Sequence, residues 1–238
     1  MRNTIIFSLI GTFLASCGGS ETNSSRPVEI PLPDQNSPVE IPLPDENSPV
    51  DPNISALLEQ TEAEILVDRN DSKAWGIHAS ALFANEYFDL SAQAFRVALD
   101  INPEMHQARY ISATAYWKLN KQEEAIATVT NFLDMNPDYD PAWRLLAEWH
   151  LDRGESQLAE DAATQAFKLN PNRMGTRFIL AQSLLDLGRP DEAIKILEDV
   201  LENGNAAPWI YQVAANCYRQ LGLQSKLEVA LIRKGPPP

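Results

Sequence analysis

The chain has 238 residues, 44% of them hydrophobic and 22% charged, and a formal net charge of −14. That length and balance suit one or two globular domains. The acidic excess, with no Lys/Arg cluster anywhere, argues against a nucleic-acid partner, and two cysteines, Cys17 and Cys217, give no readable disulfide framework.

The first element, residues 1–16, carries Arg2 and an apolar stretch from Ile5 to Leu14. The stretch is too short for a bilayer, which takes roughly 20 residues, and fits the apolar region of a cleaved signal peptide. Leu14-Ala15-Ser16-Cys17 resembles a bacterial lipobox. The resemblance implies a lipoprotein signal peptide over 1–16, cleavage before Cys17, and lipidation of its sulfur and new amino terminus. Several acyl chains together anchor a protein stably. Gly18, not Asp, follows the cysteine, which implies sorting to the outer membrane with the chain facing the periplasm. An ordinary signal peptide with an incidental cysteine is the alternative.

Residues 17–53 form a proline- and acid-rich tether. Pro27-Val28-Glu29-Ile30-Pro31-Leu32-Pro33-Asp34 recurs as Pro38-Val39-Glu40-Ile41-Pro42-Leu43-Pro44-Asp45, and a broken third copy begins Pro49-Val50-Asp51-Pro52. Proline lacks a backbone donor and blocks helix, so the tract is expected to be disordered, extended and polyproline-II-like. It reads as a spacer. A docking motif for another protein is the alternative, although no aromatic or Arg anchor accompanies the prolines.

Residues 54–71 read as one capping helix followed by a turn. The apolar spacing from Ile54 through Leu66 is helical, and Asp68-Arg69-Asn70-Asp71 stands where Asn-Pro stands later. Beyond it, Asn102-Pro103, Asn136-Pro137 and Asn170-Pro171 recur every 34 residues. This divides 72–238 into units 72–105, 106–139, 140–173, 174–207 and a shortened 208–238. Position 8 of each unit is Ala79, Ala113, Ala147, Ala181 and Ala215. Position 20 is Ser91, Ala125, Ala159, Ala193 and, exceptionally, Leu227. Position 4 carries Trp75, Trp143 and Tyr211, with Arg109 and Arg177 as departures. Position 24 carries Phe95, Val129, Ala163, Leu197 and Leu231. Gly154, Gly188 and Gly222 all fall at position 15, and Asn205 replaces the proline in the fourth unit.

The chain from about residue 54 to 234 resembles the tetratricopeptide repeat (TPR) family, whose repeat has this period and pattern. The resemblance implies an all-α fold, a right-handed superhelix (α-solenoid) of about five helix–turn–helix units.

Nothing in the residues supports catalysis. His78, His106 and His150 lack metal-pair spacing, and no nucleophile elbow, phosphate loop or Cys-x-x-Cys occurs. His78 and His150 fall at packing positions. Glu123-Glu124 and Asp191-Glu192 fall at helix starts, where they complement the dipole, and Cys217 reads as a small buried filler. The chain is therefore expected to be no enzyme and to hold no metal or cofactor.

In this family the first helices line a concave groove. The resemblance places Tyr110, Trp117, Arg144, Glu148, Phe178, Gln182, Trp209, Gln212, Asn216 and Arg219 there, aromatics and amides suited to a protein or peptide partner. Unit one has Gly76 and Ser80 where carboxylate-gripping members carry Lys and Asn. At the far end, Val229 and Ile232 of the last helix face away from their own unit, and no polar helix follows. Pairing with a second copy as a homodimer, or with a partner, is one reading; a frayed terminal helix is the other. The functions implied are a membrane-anchored scaffold of the cell envelope, a pilotin-like or outer-membrane assembly factor, or an adaptor of a peptidoglycan-remodelling enzyme.

Overall fold

The computed structural model describes residues 40–45, 50–204 and 206–234. The leader, Cys17, the first tether copy and Asn205 lie outside the described residues.

The described chain is all-α. Its helices are α1 Pro52–Val67, α2 Ser72–Ala84, α3 Phe88–Ile101, α4 His106–Lys118, α5 Gln122–Met135, α6 Asp140–Asp152, α7 Ser156–Leu169, α8 Met174–Asp186, α9 Pro190–Glu202, α10 Pro208–Gln220 and α11 Gln224–Lys234. They fall into two compact units that divide at Phe132 and Leu133, inside α5. The capping helix α1 starts two residues earlier than its apolar pattern. In the broken third tether copy Asp51 stands in place of Glu, and its shorter carboxylate accepts the Asn53 amide at 2.9 Å. Pro52 then occupies the first helical turn, where its fixed φ and missing amide cost nothing. One repeat of the tether thus ends as a helix cap.

The 34-residue register is also the packing register. Ala79, Ala113, Ala147, Ala181 and Ala215 are all 0% exposed. Ser91, Ala125, Ala159 and Ala193 are fully buried as well, so the two helices of each hairpin meet through paired small residues. Ser91 adds a bond, its hydroxyl donating to the Ala79 carbonyl at 2.9 Å. Leu227, the large residue at this site, is also buried. The turns inside the hairpins use a left-handed residue at position 15: Gly154, Gly188 and Gly222, with φ of 73°, 73° and 68°. In the first two repeats Glu86 (φ 67°) and Asn120 (φ 59°) make the same turn without glycine.

Position 4 has one job despite its varied residues. In the first unit, Trp75 Nε1 donates to the Arg69 carbonyl at 3.0 Å and Arg109 Nη2 to that of Pro103 at 2.7 Å. In the second, Trp143 Nε1 donates to Pro137 at 2.7 Å and Arg177 Nε to Pro171 at 2.7 Å. Each accepting carbonyl lies two residues past the end of the preceding repeat's helix, where no helical donor can reach it. The arginines expected as departures therefore supply the same N–H as the tryptophans. Arg177 is the most embedded. It also donates to the Ile196 carbonyl at 2.8 Å, pairs with Asp199, and lies over the Phe167 ring at 5.5 Å.

Residues 40–45 have no helix or strand, as proline dictates, but they are not a free spacer. Pro42 is buried, and Ile41 packs with Val50 against the core of the first unit, which includes Ile54, Leu58, Ile65, Trp75 and Leu82. The Pro42 carbonyl accepts from His78 Nε2 at 2.9 Å. This corrects the reading of the whole tether as a disordered linker. Ile41-Pro42 is apolar enough to bury while Leu43 stays exposed, and proline pre-pays the entropy of an extended chain.

Candidate protein-binding faces

The expected groove residues divide between the two units. In the first unit, Tyr110 and Trp117 of α4 are half-buried. Tyr110 packs on Phe132, ring centroids 5.6 Å apart, so it serves packing as well as surface. The unit's earlier inner positions are closed: Gly76 and Ser80 are buried, the Ser80 hydroxyl donating to the Gly76 carbonyl.

The second unit carries the more open face. Its first helices α6, α8 and α10 lie side by side. Phe178 of α8, half-buried, meets Trp209 of α10 edge-to-face at 5.1 Å. Trp209 is 41% exposed. Position 5 of one repeat and position 2 of the next thus present a joined aromatic pair to solvent. Around it lie polar side chains already held in place by their own helices. Arg144 pairs with Glu148 at 2.7 Å. The Gln182 amide donates to Asp186 at 2.7 Å, the Gln212 amide to Asn216 Oδ1 at 3.2 Å, and Arg219 to the same oxygen at 2.8 Å. Burial, and then Glu148, raises the Asp152 pKa. All eight expected residues of this unit therefore sit on its three first helices, and each polar one is tied to a neighbour one helical turn away. Such pre-ordering lowers the entropy lost on binding a partner.

A second hollow in this unit had no signal in the sequence. Glu198, Leu201, Glu202, Tyr211, Tyr218, Lys226, Val229 and Arg233 line a cleft of about 390 Å³ between α9, α10 and α11. Lys226 lies over Tyr218 at 5.8 Å and Arg233 over Tyr211 at 5.9 Å. On α11, Val229 and Ile232 are 51% and 79% exposed, as their register implied.

His78 and His150 behave as packing residues. His150 bonds Glu155 through Nδ1 at 2.6 Å, and that bond holds the Glu155 carboxyl below its ordinary range. His78 bridges Thr61 and Pro42. Since a carbonyl can only accept, Nε2 carries the proton and Nδ1 of the neutral ring accepts from the Thr61 hydroxyl. Burial lowers the His78 pKa. Cys217 is fully buried, and burial pushes its thiol up to about 11, so it makes a poor nucleophile or metal ligand. Among the described residues no cluster of His, Cys, Asp and Glu could hold a metal, and no helix is long and apolar enough to cross a membrane.

Fold and register define an all-α helical-repeat protein, a class whose stacked hairpins present extended surfaces for protein–protein contacts. The repeats are tetratricopeptide repeats, and the chain belongs to that family. The tetratricopeptide repeat family model matches residues 78–140, and the model of anaphase-promoting complex (cyclosome) subunit 3 matches residues 133–200. No curated protein matches the chain. Solved structures of similar fold include YrrB, described as a TPR protein with an unusual peptide-binding site (19% identity, TM-score 0.65, covering 74% of this chain and 91% of that one). A tetratricopeptide repeat protein from Parabacteroides merdae has 14% identity and TM-score 0.64, over 78% of this chain and 75% of that one. MamA has 19% identity and TM-score 0.63, over 68% and 89%. At these identities the likeness is one of fold.

Proposed function

We propose that this chain is a lipid-anchored scaffold of the bacterial cell envelope that binds an extended segment of a partner protein across α6, α8 and α10. The observation that carries the binding site is the Phe178–Trp209 pair, half-open on a face whose polar groups are already ordered. An aromatic pair desolvates well against a partner's side chain, and amides beside it can bond the partner's backbone. YrrB, of the same fold, is described as having a peptide-binding site. The anchor rests on the lipobox-like Leu14-Ala15-Ser16-Cys17, with Gly18 favouring the outer membrane and a periplasmic domain.

Panning a random peptide library against the full chain tests the site. Peptides selected by the wild type are expected to lose at least roughly tenfold in affinity on Trp209→Ala, at an unchanged melting temperature. Selected peptides that bind Trp209→Ala and Phe178→Ala as tightly as wild type would move the site elsewhere. The anchor has its own test: Cys17→Ser is expected to release the protein from the membrane fraction.

A further inference from the structure

The chain contains a second copy of the segment that docks on its own first unit. Residues 38–45 and 27–34 are identical at all eight positions. We propose that Pro27–Asp34 exchanges with Pro38–Asp45 at His78 and the first-unit core on which Ile41 packs, so that one docking site has two interchangeable occupants.

Among the described residues, 40–45, the contacts of the docked copy centre on Ile41-Pro42. The Ile41 side chain lies on the core, Pro42 is buried, and the Pro42 carbonyl accepts a hydrogen bond from His78 Nε2. Ile30 and Pro31 supply the same side chain, ring and carbonyl in the same order. The third copy cannot compete, because Asp51-Pro52 follows Val50 and is committed to the start of α1. The two occupants differ only in the loop that joins them to α1. Docking of the nearer copy closes residues 46–50, and docking of the farther copy closes residues 35–50, about three times as long. Loop-closure entropy alone then favours the nearer copy by about sixfold, a margin small enough for both forms to be populated. Exchange shortens the chain that precedes the docked segment by one eleven-residue repeat. As a change in the reach of the tether, though not as an exchange, this rests on the anchor proposed above.

The His78 imidazole Nε2 proton, observed by NMR in the full chain, reports occupancy, because only a docked proline carbonyl shields it from solvent. Three variants separate the cases: Ile30→Asp, Ile41→Asp, and both together. Ile30→Asp is expected to leave the signal as in wild type. Ile41→Asp is expected to keep it with exchange about sixfold faster, while the double variant loses it. Adding the free peptide of sequence Pro-Val-Glu-Ile-Pro-Leu-Pro-Asp to the double variant is expected to restore it, which shows the site still folded. Loss of the signal in Ile41→Asp alone, with rescue by the peptide, overturns the proposal, as does a signal that survives in the double variant. A signal in Ile41→Asp that weakens on dilution also overturns it, because the occupant then comes from another chain.

Discussion

Arg177 Nε donates to the Pro171 carbonyl at 2.7 Å, as Trp143 Nε1 donates to Pro137 one repeat earlier. Two unlike side chains thus close the same gap between consecutive repeats. Arg177→Met leaves two carbonyls and the Asp199 partner without their donor, and is expected to cost about 2–4 kcal/mol. Trp143→Phe removes one N–H and is expected to cost about 1 kcal/mol. Urea titration of each variant reads both. An Arg177→Met protein as stable as wild type would mean the bond contributes nothing to the join.

The left-handed position 15 separates backbone strain from packing. Glu86 holds φ at 67°, a region that penalises a side chain. Glu86→Gly is expected to stabilise by about 1 kcal/mol. Gly154→Ala is expected to destabilise by a similar amount, about 1 kcal/mol, although an added Cβ would meet no atom within 4 Å. Thermal melts of the two variants should move in opposite directions.

Position 8 gives the largest effect of size. Ala181 is fully buried between paired helices, and Ala181→Leu is expected to cost about 1–3 kcal/mol through overpacking. The same change at exposed Ala63 of α1 should be near neutral, which denaturation of both variants will show.

Stability should fall in mild acid through His78. Burial holds its pKa below the ordinary 6.5, so the unfolded chain binds the proton more readily than the folded one. The contribution is therefore fully present above pH 6.5 and is lost as pH falls through the lowered folded value. The Pro42 carbonyl and the nearby Glu62 oppose the shift without reversing it. His78→Gln should flatten this part of the pH–stability curve; an unchanged curve would assign the acid sensitivity to other groups, such as Glu155.

The repeat architecture was legible because packing follows register: a period of 34 brought five alanines to one depth, and all five are buried. The burial of His78, His150 and Cys217, and the placing of the expected second-unit groove residues on first helices, followed from that register. Four features were not legible. Arg109 and Arg177 looked like exceptions because they were compared with tryptophan by residue type, whereas the position selects an N–H. Glu86 and Asn120 carry no glycine to signal a left-handed turn. The docked tether was missed because a polyproline segment has no amphipathic period, and its partner His78 lies 36 residues away. The cleft lined by Tyr211, Tyr218 and Arg233 likewise depends on three helices meeting, and no single stretch encodes it.

The binding claim is tested most directly by photo-crosslinking in cells with a benzoylphenylalanine at Gln212, beside Trp209. One discrete protein adduct is expected, and it disappears when Trp209→Ala is added. No adduct from Gln212, or one that persists undiminished in the Trp209→Ala background, would contradict it.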